Sequence, residues 1–399
     1  MKSCKRIVFS LVFLMITLFS ELAQADFDLW LADFKKEALN EGISQVTLDK
    51  AFDNIVPIPQ VIKLDRSQPE FILPFSDYIH QRVTPQQIAI GRKLLLQHQD
   101  LFDAIENEYG IPRSLLVAFW GMETNYGRNK GNINTPAALA TLAHDGRRQD
   151  FFRTQLMDAL RILEAGNVTP SAMRGSWAGA MGHMQFMPTT YMRYGVDADN
   201  NGHIDVWQSI PDAMFSAANY LSSIGWMTKE PAAIEVQLPR RFAWQDAQLT
   251  LRKPVSEWLA MGVTAINHQA LPALSDDAAI ILPQGWQGPA FMVFRNFDVI
   301  MDWNHSVNYA LSVVNLARRY HNDTAIVGGQ YAETGALSYD QMMALQTYLN
   351  ERSFDAGTPD GFPGLKTQAA IRLYQASVGL PADGYASPSL LSKLQGVNQ

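Results

Sequence analysis

Apolar residues recur every three or four positions along most of the chain, the spacing that lines one face of an α-helix. Phe27, Trp30, Leu31, Phe34, Ala38 and Leu39 follow it and predict helices over residues 27–55. Four prolines within 56–74 predict a connector. Helical spacing resumes at Thr84-Pro85, an N-cap followed by a proline suited to the first turn, and Ile88, Leu94, Leu95, Leu101, Phe102 and Ile105 carry the apolar face to a stop at Gly110-Ile111-Pro112. The next helix, from about Pro112, is apolar all round: Leu115, Leu116, Val117, Ala118, Phe119, Trp120 and Met122. Such a helix is buried, so the Glu123 at its end demands an explanation.

Helical patterns continue over 136–165 and 211–225. Between Ala232 and Arg295 the texture changes to short runs, 234–238, 279–282 and 290–294, separated by Pro and Gly, which predict a small sheet inserted in a helical body. Residues 324–336, rich in Gly, Thr and Ala, predict a flexible linker. Beyond it, 337–395 form a degenerate repeat in which Asp360-Gly361 and Asp383-Gly384 mark turns beside the helical patterns 342–349, 369–374 and 390–394. The expected fold class is mainly α with a minor β component (α+β), ending in a three-helix module.

A length of 399 residues allows two or three domains, and 18% charged with 47% hydrophobic residues excludes a disordered chain. Lys and Arg number 32 against 39 Asp and Glu, a net charge of −7 that argues against nucleic acid as a partner. Lys2, Lys5 and Arg6, the uncharged run 7–19 and Ala23-Gln24-Ala25 predict a signal peptide over 1–25, cut before Asp26. Its removal takes three basic residues and one acidic, leaving 29 against 38, or −9. Cys4 precedes the apolar run, where a lipid-bearing cysteine would not lie, and it leaves with the signal. The mature chain, 26 onward, is therefore expected to be soluble, exported and free of disulfides and thiol chemistry.

Three clusters offer chemistry. Glu123 enters the polar turn Thr124-Asn125-Tyr126-Gly127; a carboxyl half-buried against Trp120 and Phe119 would hold its proton near neutrality, as a general acid must, and the alternative is a structural pair with Arg128. Residues 175–188, GSWAGAMGHMQFMP, contain three glycines without phosphate-loop spacing, and present Ser176 and Gln185 among apolar neighbours. Residues 197–205, DADNNGHID, match the start of an EF-hand loop, with Asp197, Asp199, Asn201, His203 and Asp205 as candidate calcium ligands. Gln208 replaces the bidentate Glu of position 12, a role left to Asp212, so a calcium loop and an ion-free Asx-rich turn both stand at this point.

Together these clusters resemble the membrane-bound lytic transglycosylase B family, murein-cleaving enzymes with a lysozyme-like fold. The resemblance rests on 119–127 (FWGMETNYG), Arg147-Arg148, 175–188, the calcium-like loop, 217–221 (AANYL) and 303–306 (WNHS), and spans residues 27–322. The tail, with 360–364 (DGFPG), Lys366-Thr367 and 370–375 (AIRLYQ), is similar to the common peptidoglycan-binding module. The implied domains are a lysozyme-like catalytic domain over 26–323 with its β insertion at about 232–295, the linker, and the binding module over 337–395.

The resemblance implies roles for particular residues. Glu123 matches the single catalytic acid/base, Ser176 and Gln185 the groups that hold the N-acetylmuramic acid, and Tyr220, Asn304, Tyr309 and Tyr78 cleft residues. Trp303 stands where relatives often carry Tyr, keeping stacking but not the hydroxyl. The implied reaction cleaves the β-1,4 bond from N-acetylmuramic acid to N-acetylglucosamine and forms a 1,6-anhydro sugar. It needs no cofactor; calcium would be structural. The implied partner is the peptidoglycan glycan strand in the periplasm, with no lipid anchor. Two rivals are a muramidase, in which Asp145 or Asp150 would hold the attacking water, and a non-catalytic wall-binding scaffold.

Overall fold

The structure, a computed structural model, describes residues 25–67, 73–266, 271 and 277–396. All but the last residue of the predicted signal segment lies outside them. The described residues form two bodies, each discontinuous in sequence: one from those up to 67 and from 123–220, the other from 73–122 and from those after 220.

The first body is helical. Its elements are α1 (25–40), α2 (Gln45–Ala51), α3 (Pro59–Ser67), the last residues of α7 (Arg113–Thr124), α8 (Thr135–Asp145), α9 (Gln149–Glu164), α10 (Pro188–Tyr194) and most of α11 (Ile210–Ser223). The periodic aromatics of α1 are packed as their spacing predicts, Trp30 stacking on Phe34 at 5.5 Å. α8 is buried on every side from Thr135 to Ala143 and packs on α9. Asn134 caps it by accepting the amide of Ala137, and Gly146, at φ 86°, ends it in the left-handed conformation. One two-stranded antiparallel ribbon, β1 (Ile133–Asn134) with β2 (Arg174–Gly175), is the strand content of this body.

The proline-rich stretch 56–74 is not merely a connector. Pro59 opens α3, where its missing N–H and fixed φ cost nothing. Val61 and Asp65, one turn apart, are both buried. Asp65 accepts hydrogen bonds from Arg147 Nε (2.5 Å) and Nη2 (2.9 Å) and from Arg148 Nη2 (2.6 Å). Burial opposes its charge, but the two guanidinium groups outweigh burial and hold its carboxyl below the usual range.

The second body contains α4 (Phe75–Arg82), α5 (Pro85–Gln97), α6 (Gln99–Tyr109) and most of α7. Thr84 caps α5 as predicted, accepting from Gln87 N at 3.2 Å; the single long helix read through residue 110 is broken at His98 into α5 and α6. The inserted sheet is five-stranded and antiparallel, in the order β4-β6-β7-β3-β5, with β3 (Ala233–Gln237), β4 (Lys253–Pro254), β5 (Thr264–Ala265), β6 (Asp277–Ile281) and β7 (Ala290–Val293). It packs on α12 (Val255–Ala260) through fully buried Trp258, whose indole N–H donates to Ala278 O at 2.8 Å. α13 (Arg295–Trp303) and α14 (Val307–Tyr320) follow, and then the module: α15 (Tyr339–Glu351), α16 (Leu365–Ser377) and α17 (Pro388–Leu394) around Leu345, Leu349, Ile371 and Leu394.

The module's repeat has a physical basis. In its first copy, Gln346 Oε1 accepts the amides of Asp360 and Gly361, both at 2.9 Å, while Nε2 donates to Asp360 Oδ1. In the second, Gln375 Oε1 accepts Gly384 N at 2.9 Å and Nε2 donates to Asp383 Oδ1 at 2.7 Å. The segment 324–336 is not a free tether. Buried Glu235 of β3 accepts the amides of Val327 and Gly328, and the Glu333 carboxylate accepts both the amide and the hydroxyl of Ser389 at 2.7 Å. Asp383 Oδ2 accepts Trp286 N at 2.8 Å from the turn between β6 and β7.

Asp65→Ala leaves two half-exposed guanidinium groups without their shared partner. It is expected to cost about 2 kcal/mol, read as a lower urea midpoint with an unchanged m-value.

Candidate active site

α7 reaches its end still buried, so its terminal backbone needs partners. Thr124, 1% exposed, supplies them: its hydroxyl donates to His183 O at 2.8 Å and accepts Gly127 N at 2.9 Å, while its carbonyl accepts Asn129 N. Asn125 (φ 50°), Tyr126 (φ 60°) and Gly127 (φ 80°) form a left-handed turn directly after it. Three consecutive residues in that region, two of them not glycine, mark a backbone held by its surroundings. Glu123, half-buried, is the residue before this clasp.

The clasp's partner is the 175–188 segment. Met181 and Phe186 exchange backbone hydrogen bonds at 2.8 and 2.9 Å, and Ser176 N donates to Ala180 O at 2.8 Å. The glycines answer close backbone approach. A Cβ on Gly131 would lie 2.1 Å from the Gly175 carbonyl, and one on Gly182, at φ 70°, 2.3 Å from Val206 O. Ser176 Oγ accepts Ala180 N, which leaves its O–H to donate. Gln185, at φ 50°, donates from Nε2 to the carbonyls of Lys130 (3.2 Å) and Gly182 (3.0 Å), turning Oε1 into the acceptor it can offer. Lys130 Nζ donates to Trp207 O at 2.5 Å, and His183 N to Val206 O. Tyr220 of α11 meets Phe186 edge-on at 6.4 Å and Tyr194 at 4.8 Å. Glu123, Ser176, Gln185 and Tyr220 thus all belong to the first body.

The other expected cleft residues belong to the second body. Trp303 lies against Phe119 of α7 with ring centroids 4.6 Å apart, and Tyr309 is 6.3 Å from the same ring. Asn304 ends α13, and Ser306 caps α14 by accepting Tyr309 N. Tyr78, on α4, carries Arg82 over its ring at 5.5 Å. Tyr78 and Tyr309 are each 5% exposed, so they form wall, not open surface. Asp145 is paired with Arg66 at 2.8 Å, and Asp150 is exposed in the first turn of α9.

In the calcium-like loop, Asp197, Asp199 and Asp212 bring carboxylate oxygens within 4.8 Å of one another. Asn201 Oδ1 accepts His203 N, and Asp205 Oδ1 accepts the amides of Trp207 and Gln208, so these two act as turn-formers. Asp212, fully buried, accepts Ala198 N and Asp205 N; burial pushes its carboxyl up while these amides pull it down. Three gathered carboxylates suit a hard, oxygen-seeking cation. The sequence pattern did not expose Asp65, Thr124 or Lys130; the lone signal for Thr124 was its position behind an apolar helix.

Comparison with known proteins places these features in context. The transglycosylase SLT domain model matches residues 26–318, and a peptidoglycan binding domain model matches 338–394. The membrane-bound lytic murein transglycosylase B of Escherichia coli K12 is 32% identical over 251 residues, a match covering 60% of this chain and 66% of that protein. A crystal structure of SltB3 from Pseudomonas aeruginosa in complex with NAG-NAM-pentapeptide superposes with TM-score 0.90 at 44% identity, over 92% of this chain and 99% of that one. A structure of the Escherichia coli lytic transglycosylase Slt35 in complex with calcium superposes with TM-score 0.65 at 27% identity, covering 73% of this chain and 92% of that one.

Burial, reinforced by the charge of Lys130, pushes the His183 imidazole down to about 4. Its neutral form is favoured in the fold, so its stabilisation is complete above about pH 6.5 and is lost as pH falls toward 4, where the unfolded chain takes up the proton. Urea unfolding is expected to show wild-type stability falling by about 2–3 kcal/mol across that window from this group, and a shallower fall in His183→Gln.

Proposed function

We propose, from the premise that this chain belongs to the transglycosylase SLT family, that it is a lytic murein transglycosylase acting on the β-1,4 bond between N-acetylmuramic acid and N-acetylglucosamine of peptidoglycan. The observation that carries the reading is the joint likeness in sequence and fold, over 92% of the chain, to a protein solved with a peptidoglycan fragment. The second match, to a peptidoglycan binding domain, points to the same polymer.

Glu123 is the acid/base. Protonated, it gives its proton to the glycosidic oxygen as the bond to muramoyl C1 breaks. Most glycosidases need a second carboxylate at this stage. Here the substrate's own 2-acetamido oxygen stabilises the cationic centre, with the Ser176 hydroxyl donating and Gln185 Oε1 accepting to hold that sugar. Glu123, now a carboxylate, takes the proton of the muramoyl C6 hydroxyl, whose oxygen closes onto C1. One proton leaves and one returns, so the enzyme is restored and no water is consumed.

The rest follows from position and composition. Tyr220 of the first body and, in the second, Trp303, Asn304, Tyr309 and Tyr78 are each assigned to glycan contact, aromatic surfaces suiting the apolar faces of sugar rings. Residues 1–25 export the chain to the periplasm, and no helix among the described residues is long and apolar enough to cross a membrane. Asp197, Asp199 and Asp212 would hold a calcium ion that staples the 197–212 segment and takes no part in the chemistry.

Mass spectrometry of muropeptides released from murein sacculi by residues 26–399 is expected to show 1,6-anhydro-N-acetylmuramic acid ends. Glu123→Gln should lose about 10²–10⁴ of the rate with the fold intact. Products one water heavier would make the protein a hydrolase, and release of nothing by the wild type would leave the scaffold. Calcium at a hundredfold excess over Kd is expected to add about 2.7 kcal/mol to wild-type stability and nothing to Asp199→Ala, as measured by thermal unfolding with and without chelator.

A further inference from the structure

A groove of about 330 Å³ in the second body lies where the three-helix module meets the sheet insertion and the start of α14, with Gln248, His305, Asn308, Gln368, Arg372 and Tyr385 among its lining residues. Arg372 is its cation. Among the described residues its one hydrogen bond runs from Nη2 to Ala247 O, at a long 3.3 Å. Its Nε is buried and has no partner at all. The carboxylate whose charge acts on it, Asp383, is already committed: Oδ1 accepts Gln375 Nε2 and Tyr385 N, and Oδ2 accepts Trp286 N. Burial accordingly pushes the guanidinium down from its ordinary range, with Asp383 offsetting only part of it. The side chain is nonetheless seated deliberately. Gly384, at φ 76°, leaves its Cζ against the turn backbone, where a Cβ would lie 2.7 Å away.

A half-buried guanidinium with unspent donors, facing a groove, is a site for a planar, singly charged anion, because its fork matches a carboxylate and the neighbouring Asp383 disfavours a doubly charged ligand. The apolar walls, Leu282, Pro283 and Val307, suit small aliphatic side chains, and residues 305–308 lie between Asn304 and Tyr309 in sequence. We propose that Arg372 binds a free carboxylate of the peptide stem carried by N-acetylmuramic acid, so that the module reads peptide at its junction with the sheet insertion. The proposal rests on the peptidoglycan reading above and adds to it the feature of the polymer that the groove selects.

The test uses the full mature chain and two probes: NAG-NAM-pentapeptide, and the same fragment with its peptide carboxylates amidated. Titration calorimetry is expected to show wild-type binding weakened about tenfold by amidation, and weakened about tenfold by Arg372→Gln. The two changes combined should cost no more than either alone, because both remove one contact. Arg372→Lys, which keeps the charge, should recover part of the affinity. Independent, multiplying effects, an Arg372→Gln variant that binds like wild type, or a wild type that ignores both probes would overturn the proposal. Thermal unfolding of each variant beside the wild type separates lost contact from lost fold, and Arg372→Lys carries the test if the glutamine variant is unstable. Anhydro-product release from sacculi, measured in parallel, keeps the two readings apart. Release without coupling sinks the Arg372 site alone, whereas coupling without release sinks the transglycosylase reading and leaves the site.

Discussion

Thr124 stands at the point on which the first body's chemistry depends. A helix as apolar as α7 gains by complete burial, but its last turn carries backbone groups that water can no longer reach. The Thr124 hydroxyl resolves this by bonding in two directions, to His183 O and from Gly127 N, and so joins the end of α7 to the glycine-bearing 175–188 segment. The left-handed run 125–127 follows from that clasp. Glu123, one residue earlier, is held on an element that cannot fray.

The same economy of polar contacts organises the second body. Two glutamines, Gln346 and Gln375, each close an Asp-Gly turn by accepting its glycine amide and donating to its carboxylate, so the module's three short helices are fastened by side chains as much as by their small core. The second of these turns does further duty. Asp383 also accepts Trp286 N, Glu235 accepts amides of the segment between, and that segment's Glu333 holds Ser389, which makes residues 324–336 a fastened strap. A module held this way presents a defined surface, and an arginine with unspent donors can exist at its edge.

Much was legible in the chain itself. The three- and four-residue spacing of α1, the Thr84 cap, the stop at Gly110, the strands of the insertion and the helices of the module all declare themselves because they depend on neighbours within one or two turns. The proline-rich stretch misled for the same reason. Pro59 reads locally as a breaker, and its acceptance at the first position of α3 is settled by Asp65, whose partners Arg147 and Arg148 are more than eighty residues away. Break points such as His98, between α5 and α6, leave no mark in an apolar pattern that runs on regardless.

Residue types and spacing by themselves determined a mainly helical chain with a sheet insertion, an end module, a carboxylate behind an apolar helix and an acidic loop resembling a calcium site. Tertiary structure alone decided which atoms of those residues are spent. It turned the Gln185 amide toward Lys130 and Gly182, drew Asp212 rather than Asp205 to Asp197 and Asp199, tied down the expected flexible segment, and left Arg372 half-buried with its Nε unmatched. The reason is one of range: periodicity and capping act between near neighbours, whereas the satisfaction of a buried polar atom depends on whatever the fold brings beside it.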